Sequence, residues 1–95
     1  MNLVITLRSE QLQNPDLDIR YELPKVLSEL SGGTFSDNGY DYTEEQALEV
    51  FLKCGEEITD PVSLAKELLS GREILGNDIV AVGKFRLVAD ENTLP

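Results

Sequence analysis

The segment 37–45 offers the clearest set of binding side chains in this sequence, because tyrosines and carboxylates surround an Asn-Gly pair there. Tyrosine provides a large contact area at a low cost in conformational entropy. Carboxylates pair with arginine and lysine, and they attract a basic partner over a distance. We predict that this segment binds a partner protein; the alternative is a solvated hairpin whose tyrosine rings cover the edge of the core. The candidate partner-binding residues are Asp37, Tyr40, Asp41, Tyr42, Glu44 and Glu45.

The composition removes the commonest routes to catalysis. The chain has no histidine and a single cysteine, Cys54. Histidine is the usual general base and the usual protein ligand of catalytic zinc. Cys54 falls on the inward face of a predicted strand, which indicates a small buried hydrophobic residue rather than a reactive thiol. We therefore expect a protein that is not an enzyme and that uses no cofactor.

The closest match to a metal motif is a calcium-binding loop centred on Gly39. Asn38 and Glu45 then fall at ligand positions, but Thr34 and Ser36 stand where the loop needs its first ligands. Without the leading aspartate, most of the charge that holds calcium is missing. We expect a hairpin here and no metal site.

Charge narrows the choice of partner. Eighteen acidic residues against eight basic ones give the chain a net charge of -10. This charge repels nucleic acid and anionic membrane surfaces, and no apolar run approaches the roughly 20 residues that cross a bilayer. A lone cysteine fits a reducing compartment. We expect a cytoplasmic, soluble protein with a protein partner and no nucleic acid or membrane partner.

The first third of the chain predicts a strand followed by a helix. Apolar residues alternate with polar ones over 2–8, as in a half-buried strand. Apolar residues then recur at helical spacing over 19–30, and Gly32 and Gly33 supply the stop. Pro24 removes a backbone donor, so we expect regular helix mainly after Tyr21.

The middle third predicts a hairpin of two strands. We expect a short strand over 34–37, a turn at Asn38 and Gly39, and a return strand that begins at 40–42. The segment 47–54 alternates as a strand does, although 43–46 also resembles a helix capping box. We favour the strand.

The last third predicts a helix and a final strand. The helix has Thr59 or Asp60 as its cap and Pro61 in its first turn, and it ends before Gly71. The valine-rich segment 79–88 predicts the last strand. In this scheme the acidic groups 37–45 and 56–60 flank the strand 47–54 and lie at its opposite ends.

The predicted order is strand, helix, strand, strand, helix, strand, which is typical of a ferredoxin-like α+β sandwich. At 95 residues the chain forms a single domain, 1–95. We expect an antiparallel four-stranded sheet with two helices on one face. Its open face carries Val4, Thr6, Glu49, Phe51 and Lys53.

Two other functions of this fold order fit poorly. A phosphate cradle after the first strand needs glycines and an arginine, and the segment 9–18 has neither. An RNA-binding sheet needs exposed aromatics on a basic surface, which 83–86 only partly provides. We expect neither an acylphosphatase nor an RNA-binding module.

Two segments resemble those of small bacterial immunity-type proteins. They are Gly32-Gly33 through Asp37-Asn38-Gly39-Tyr40-Asp41-Tyr42, and Leu75-Gly76-Asn77-Asp78. Proteins of this type are small, cytosolic and often acidic. The resemblance implies an antitoxin that blocks a cognate toxin, frequently a basic nuclease, by covering its active site.

A second hypothesis belongs to a different class. The open face of the sheet, with Val4, Phe51, and Val80 or Val82, would pair with a second copy to form a homodimer. The chain would then be a self-associating structural or small-ligand regulatory module.

Overall fold

The computed structural model describes residues 1–89, which form an α+β fold. Four strands make one antiparallel sheet in the order β2-β3-β1-β4, and three α-helices accompany it. The elements are β1 (Asn2–Leu7), a 3-10 turn (Ser9–Gln11), α1 (Ile19–Leu30), β2 (Phe35–Tyr42), β3 (Leu48–Cys54), α2 (Pro61–Leu69), α3 (Ile79–Val82) and β4 (Lys84–Val88).

The core lies between one face of the sheet and the two long helices. On that face β1 and β3 pair Leu3 with Leu52 and Ile5 with Val50. Leu23 of α1 and Ala65 of α2 belong to the same buried cluster. The predicted antiparallel sheet is therefore confirmed, and α1 and α2 cover one face of it, because each helix has one apolar stripe to bury.

The strand β2 differs from the predicted hairpin. It runs unbroken through Asn38 and Gly39, which form a β-bulge rather than a turn. Asp37 lies opposite Leu52 and Tyr40 lies opposite Val50, so two residues of β2 face a single residue of β3. Gly39 has φ of +94° and its N–H donates to Asp37 Oδ1 at 2.9 Å. An Asn-Gly pair supplies the positive φ that both a tight turn and a bulge require.

The hairpin turn lies at 43–47 instead. Thr43 N–H donates to Ala47 O at 2.8 Å, and Ala47 N–H donates to Thr43 Oγ1 at 3.1 Å. Gln46 supplies the left-handed residue, with φ of 68°. Thr43 thus closes a loop and does not cap a helix, and β3 confirms the strand preferred for 47–54.

The acidic groups are arranged differently from the sequence-based expectation. Because β2 runs antiparallel beside β3, Asp37 lies opposite Leu52, close to the end of β3 that leads to 56–60. Glu45 lies in the hairpin loop at the other end of β3. The carboxylates of 37–45 therefore extend along the sheet edge, and the prediction that they gather at one end of β3 was wrong.

The last strand is shorter than predicted. Ile79–Val82 forms the helical turn α3, and β4 begins at Lys84. Asp78 caps this turn by accepting from Ala81 N–H at 3.3 Å, and Gly83 N–H ends it by donating to Ile79 O at 2.8 Å. Burial of Ile79 in the core outweighs the strand preference of a valine-rich segment.

The helices predicted over 19–30 and after Asp60 are both present. The expectation that regular helix lies mainly after Tyr21 was wrong, because α1 begins at Ile19 and Pro24 lies in its interior. Burial of Pro24 with Leu23 and Leu27 outweighs the backbone hydrogen bond that the proline removes. Asp60 caps α2 through a bond from Ser63 N–H to Asp60 Oδ1 at 3.1 Å, and Pro61 occupies the first turn. This backbone bond and the Ser63 hydroxyl hold the pKa of Asp60 below its usual range. Cys54 is buried, as its position in the strand predicted.

The backbone of the bulge generates a stability prediction. Changing Gly39→Ala places a Cβ on a residue with φ of +94°, and we expect a loss of about 1 to 2 kcal/mol in the free energy of unfolding by urea. The matched control is Gly55→Ala, which has no positive φ and whose added Cβ has the flexible side chain of Glu57 as its nearest neighbour. We expect that variant to stay within about 0.5 kcal/mol of the parent. Equal losses in both variants would show that the φ of Gly39 is not the cause.

Candidate functional site

The bulge decides which face of the sheet the two β2 tyrosines occupy. Side chains alternate along a strand, so Phe35 and Asp37 share the helix-covered face with Cys54 and Leu52. The extra residue at the bulge shifts this alternation by one. Tyr40 and Tyr42 consequently lie on the helix-covered face, opposite Val50 and Leu48.

The three tyrosines of the chain meet where α1 covers β2. The ring centroids of Tyr21 and Tyr40 are 5.8 Å apart with an interplanar angle of 86°, and those of Tyr40 and Tyr42 are 6.0 Å apart at 81°. Edge-to-face pairs of this kind are favourable because the positive ring edge meets the negative ring face. We call Arg20, Tyr21, Tyr40 and Tyr42 the tyrosine patch.

Arg20 lies at the centre of the tyrosine patch. Its Cζ is 4.7 Å from the ring centroid of Tyr21 and 5.4 Å from that of Tyr40, within the range of a cation–π interaction. Hydrogen bonds with the side chains of Tyr42 and Tyr21 raise the pKa of Arg20 further above its already high value. Its Nε is buried and has no hydrogen-bond partner among residues 1–89. Arg20 is thus a permanent cation that orders the rings.

The phenol groups of Tyr21 and Tyr40 form a polarised pair. The hydrogen bond from Tyr40, followed by that from Arg20, lowers the pKa of Tyr21 below its usual value. The same hydrogen bond raises the pKa of Tyr40. The negative charge of Asp18 works against ionisation of Tyr21 but is a smaller effect.

The tyrosine patch is exposed although its rings are ordered by contacts. Tyr21 is 52% exposed, Tyr40 39% and Tyr42 41%. Leu17, one turn before Tyr21, is 63% exposed. These are four of the five large apolar or aromatic side chains that are exposed in residues 1–89. Exposed aromatics gathered around an arginine are typical of the energetic centre of a protein interface.

The structure separates the carboxylates that the sequence grouped with these tyrosines. Asp41 lies opposite Glu49 on the other face of the sheet, and Asp37 Oδ1 is engaged by Gly39 N–H. Glu45 pairs with Arg8 at 3.1 Å, while Glu44 is exposed in the hairpin loop. Of the six predicted residues, only Tyr40 and Tyr42 join the tyrosine patch; the carboxylates surround the edge of the sheet.

Three residues of this region were missed by the sequence analysis: Leu17, Arg20 and Tyr21. The available signal was Tyr21 itself, an aromatic on the polar side of an amphipathic helix and four residues after Leu17. An aromatic side chain on the polar side of a helix points away from the core that the helix covers. Its ring must therefore lie at the surface or cover a neighbouring element. In this fold the neighbouring element is β2.

A small cleft of about 50 Å³ adjoins the tyrosine patch through Tyr42. It lies between the segment 9–17 and the hairpin end of β2 and β3, and its wall is mainly apolar. Its lining includes Leu12, Asp16, Leu17, Tyr42, Gln46 and Leu48.

The outer wall of the cleft is fixed by a pair of asparagines. Asn77 Nδ2 donates to Asn14 O at 2.8 Å, and Asn77 Oδ1 accepts from Asn14 N–H at 2.9 Å. Asn14 Nδ2 donates in turn to Leu75 O at 2.9 Å. Asn77 is the only buried polar residue in the described part of the chain. These bonds tie the segment 9–17 to the loop before α3.

Within residues 1–89, no three cysteine or acidic side chains lie close enough together to hold a metal ion. None of the helices in that range has the length and hydropathy that spanning a membrane requires.

The sequence matches no protein-family model, and no curated protein or solved structure is significantly similar to it.

The polarised phenol pair predicts an unusual titration. We expect Tyr21 to ionise below the ordinary tyrosine pKa of about 10 and Tyr40 to ionise above it. The ultraviolet absorbance of tyrosinate measures both ionisations. The chain has no tryptophan to obscure this signal. Stability should rise with pH between the lowered pKa of Tyr21 and about 10, because there the unfolded chain holds the extra proton. Above about 10, Tyr40 reverses the sign and stability should fall.

Two substitutions identify the cause of this titration. Tyr40→Phe removes the main hydrogen bond and should move the Tyr21 pKa back up towards its usual value, and Arg20→Gln should do so to a smaller extent. The control is Lys25→Gln, which removes a cation from the exposed side of the same helix. The hydrogen-bonded arrangement would be contradicted if Tyr21 had an ordinary pKa in the parent protein. It would also be contradicted if Lys25→Gln shifted the Tyr21 pKa as much as Tyr40→Phe does.

The asparagine pair predicts a large effect of a single amide. Asn77→Ala leaves the Asn14 N–H without its acceptor in a partly buried site, so we expect a loss of about 2 to 3 kcal/mol in the free energy of unfolding. Asn38→Ala is the control, since its bond to Asn2 is exposed and should contribute less than about 1 kcal/mol. A loss for Asn77→Ala no larger than that of the control would contradict the structural role of Asn77.

Proposed function

We propose that this protein is a non-catalytic binding protein that neutralises a basic toxin, in the manner of an immunity protein or antitoxin. The tyrosine patch is the observation that carries the proposal. Its rings and its arginine belong to the residue types that contribute most to binding energy in protein interfaces. The partner covers the tyrosine patch, and the surrounding carboxylates meet its basic residues.

Order within the tyrosine patch supports tight binding. Association normally loses side-chain freedom, at about 0.5 to 1.5 kcal/mol for each flexible side chain that becomes fixed. Here Tyr40 already contacts both other rings, and Arg20 contacts Tyr21 and Tyr40 before any partner arrives. Less freedom remains to be lost on binding. A preordered aromatic surface also offers a fixed shape that a single partner can match.

The net charge of -10 supports the choice of a basic partner. An acidic protein attracts a basic one through water and raises the association rate, and salt weakens this attraction. Asp18 precedes α1, and Glu44 lies in the loop that follows Tyr42. Carboxylates therefore lie beside both elements that form the tyrosine patch.

We also propose that the fold is ferredoxin-like. The helix α1 connects β1 to β2, with β3 between these two strands in the sheet. The helix α2 likewise connects β3 to β4, with β1 between them. Two interlocked split β-α-β units of this kind support the assignment. They leave β2 at a sheet edge, next to α1, where a partner can reach it.

The competing proposal, a homodimer through the open sheet face, receives less support. Val4 is only 1% exposed, so it has little surface to give to a second copy. Val80 and Val82 belong to α3 and pack against the core instead of joining the sheet. An ion pair between Arg86 and Glu49, at 2.6 Å, also lies on this face. Phe51 remains the aromatic residue that tests this alternative.

The proposal is tested with the product of the reading frame adjacent to this gene. We expect that product to be basic, to stop the growth of a bacterial host, and to be neutralised when this protein is coexpressed. The double variant Tyr21→Ala/Tyr40→Ala should weaken binding of the purified pair by at least about 30-fold, because even one hot-spot residue contributes about 2 kcal/mol or more. Isothermal titration calorimetry measures the affinity.

Phe51→Thr is the matched control, because it removes an aromatic side chain from the opposite face of the sheet. We expect this variant to bind and to restore growth as the parent does. If Phe51→Thr abolished binding while the double tyrosine variant did not, the open sheet face would be the interface. If the parent restored no growth and bound no product of its gene neighbourhood, the antitoxin proposal would be overturned.

A further inference from the structure

We infer that the cleft beside Tyr42 is an anchor site for one lysine side chain of the partner protein. This inference rests on the proposed function, because it names the group with which the basic partner engages the region next to the tyrosine patch. Three observations support it: the size of the cleft, the fixed carboxylate of Asp16, and the hydrogen bonds that hold the cleft wall in place.

The volume of the cleft limits what can enter it. Pockets for metabolites and drug-sized ligands usually measure about 300 to 1,000 Å³. This cleft measures about 50 Å³, which is several times the minimum of about 10 to 15 Å³ that holds one water. A space between these limits suits a single, slender side chain. The cleft is therefore a place for one residue of a partner rather than for a small-molecule substrate.

The lining combines apolar walls with one acidic group. Leu7 and Leu48 are buried, and Leu12 and Leu17 of the segment 9–17 form the opposite side of the cleft. Asp16 is the one charged residue of the lining. A lysine matches this combination, because its methylene stem packs on apolar surface while its ammonium group stays at the polar end. A glutamate or aspartate would be repelled there.

The orientation of Asp16 favours lysine over arginine. Asp16 Oδ1 already accepts the Asp18 N–H at 2.9 Å, which fixes the carboxylate and engages one of its two oxygens. Arginine gains its advantage from two parallel bonds to both oxygens of a carboxylate. A compact ammonium group needs only one of them. A leucine would fill the apolar wall but would gain nothing from the charge of Asp16.

The cleft is formed before a partner arrives. Asn14 and Asn77 attach the segment 9–17 to the loop before α3 through two bonds of 2.8 and 2.9 Å. At the hairpin end of the sheet, Arg8 and Glu45 form an ion pair that joins the end of β1 to the loop between β2 and β3. Ser9 and Gln46, their neighbours in sequence, also line the cleft. Binding of a side chain therefore requires no opening of the structure, and the lysine meets an ordered site.

The inference is tested on the free protein with four-carbon probes in place of the partner. We expect n-butylammonium to cause saturable chemical-shift changes at the backbone amides of Ser9, Leu17 and Gln46 in nuclear magnetic resonance spectra. It should bind about tenfold more tightly than 1-butanol, because a charge-assisted hydrogen bond to Asp16 contributes more than apolar contact alone. We expect n-butylguanidinium to bind no more tightly than n-butylammonium, and butyrate to cause no change.

The decisive variant is Asp16→Asn, which keeps a side-chain oxygen to accept the Asp18 N–H and so preserves the local turn. It should reduce the affinity for n-butylammonium to that for 1-butanol. Asp37→Asn is the control, since it removes the same charge from a residue outside the cleft lining, and it should leave both affinities unchanged. Equal affinities for the ammonium and the alcohol in the parent, tighter binding of the guanidinium, or an equal response to both variants would overturn the inference.

The test separates this inference from the proposed function. Because the probes are small molecules and no toxin is present, selective n-butylammonium binding supports the anchor site even if growth is not restored by coexpression. Restored growth together with an unselective cleft would overturn the anchor site and leave the antitoxin proposal standing. In the complex, Asp16→Asn should weaken toxin binding by about tenfold, and an unchanged affinity would overturn the assignment of the partner's lysine to this cleft.

Discussion

The bulge at Asn38 and Gly39 is the constraint on which the rest of the surface depends. A strand has a period of two, so one extra residue exchanges its faces from that point onward. Without the bulge, Tyr40 and Tyr42 would lie on the open face of the sheet, and Asp41 would face α1. With it, both rings lie beside Tyr21, and a single residue with φ of +94° thereby decides where the aromatic surface of the protein is found.

Arg20 is the second requirement for an ordered aromatic surface. Three half-exposed phenol rings have little core contact to hold them in place. The guanidinium of Arg20 holds the rings in place through cation–π contacts with Tyr21 and Tyr40. Arg20 remains charged at every accessible pH, so this cation is not lost near neutral pH as the charge of a histidine would be.

Hydrophobic periodicity predicted the parts of the fold that bury apolar residues. The strands β1 and β3 and the helices α1 and α2 have regular apolar spacing, and all four are present. The errors arose where one sequence signal serves two structures. An Asn-Gly pair satisfies a turn and a bulge equally well, while the true turn uses Gln46 in a left-handed conformation that few non-glycine residues adopt. The sequence analysis predicted only two of the four residues of the tyrosine patch. Its residues come from α1 and β2, and their proximity depends on a strand register that spacing alone does not encode.

The bulge also bears on the state of association. β2 is an edge strand, and an exposed edge is a template for pairing with another chain. A bulge twists such an edge and interrupts its ladder, and charged side chains such as Asp37 and Asp41 oppose the approach of a second acidic copy. The feature that brings the tyrosine rings to α1 therefore also discourages the addition of a further strand at β2. In the proposed complex, side chains rather than backbone then make the contacts at this edge, and this requirement favours a basic partner that meets the rings and carboxylates over a second copy that extends the sheet.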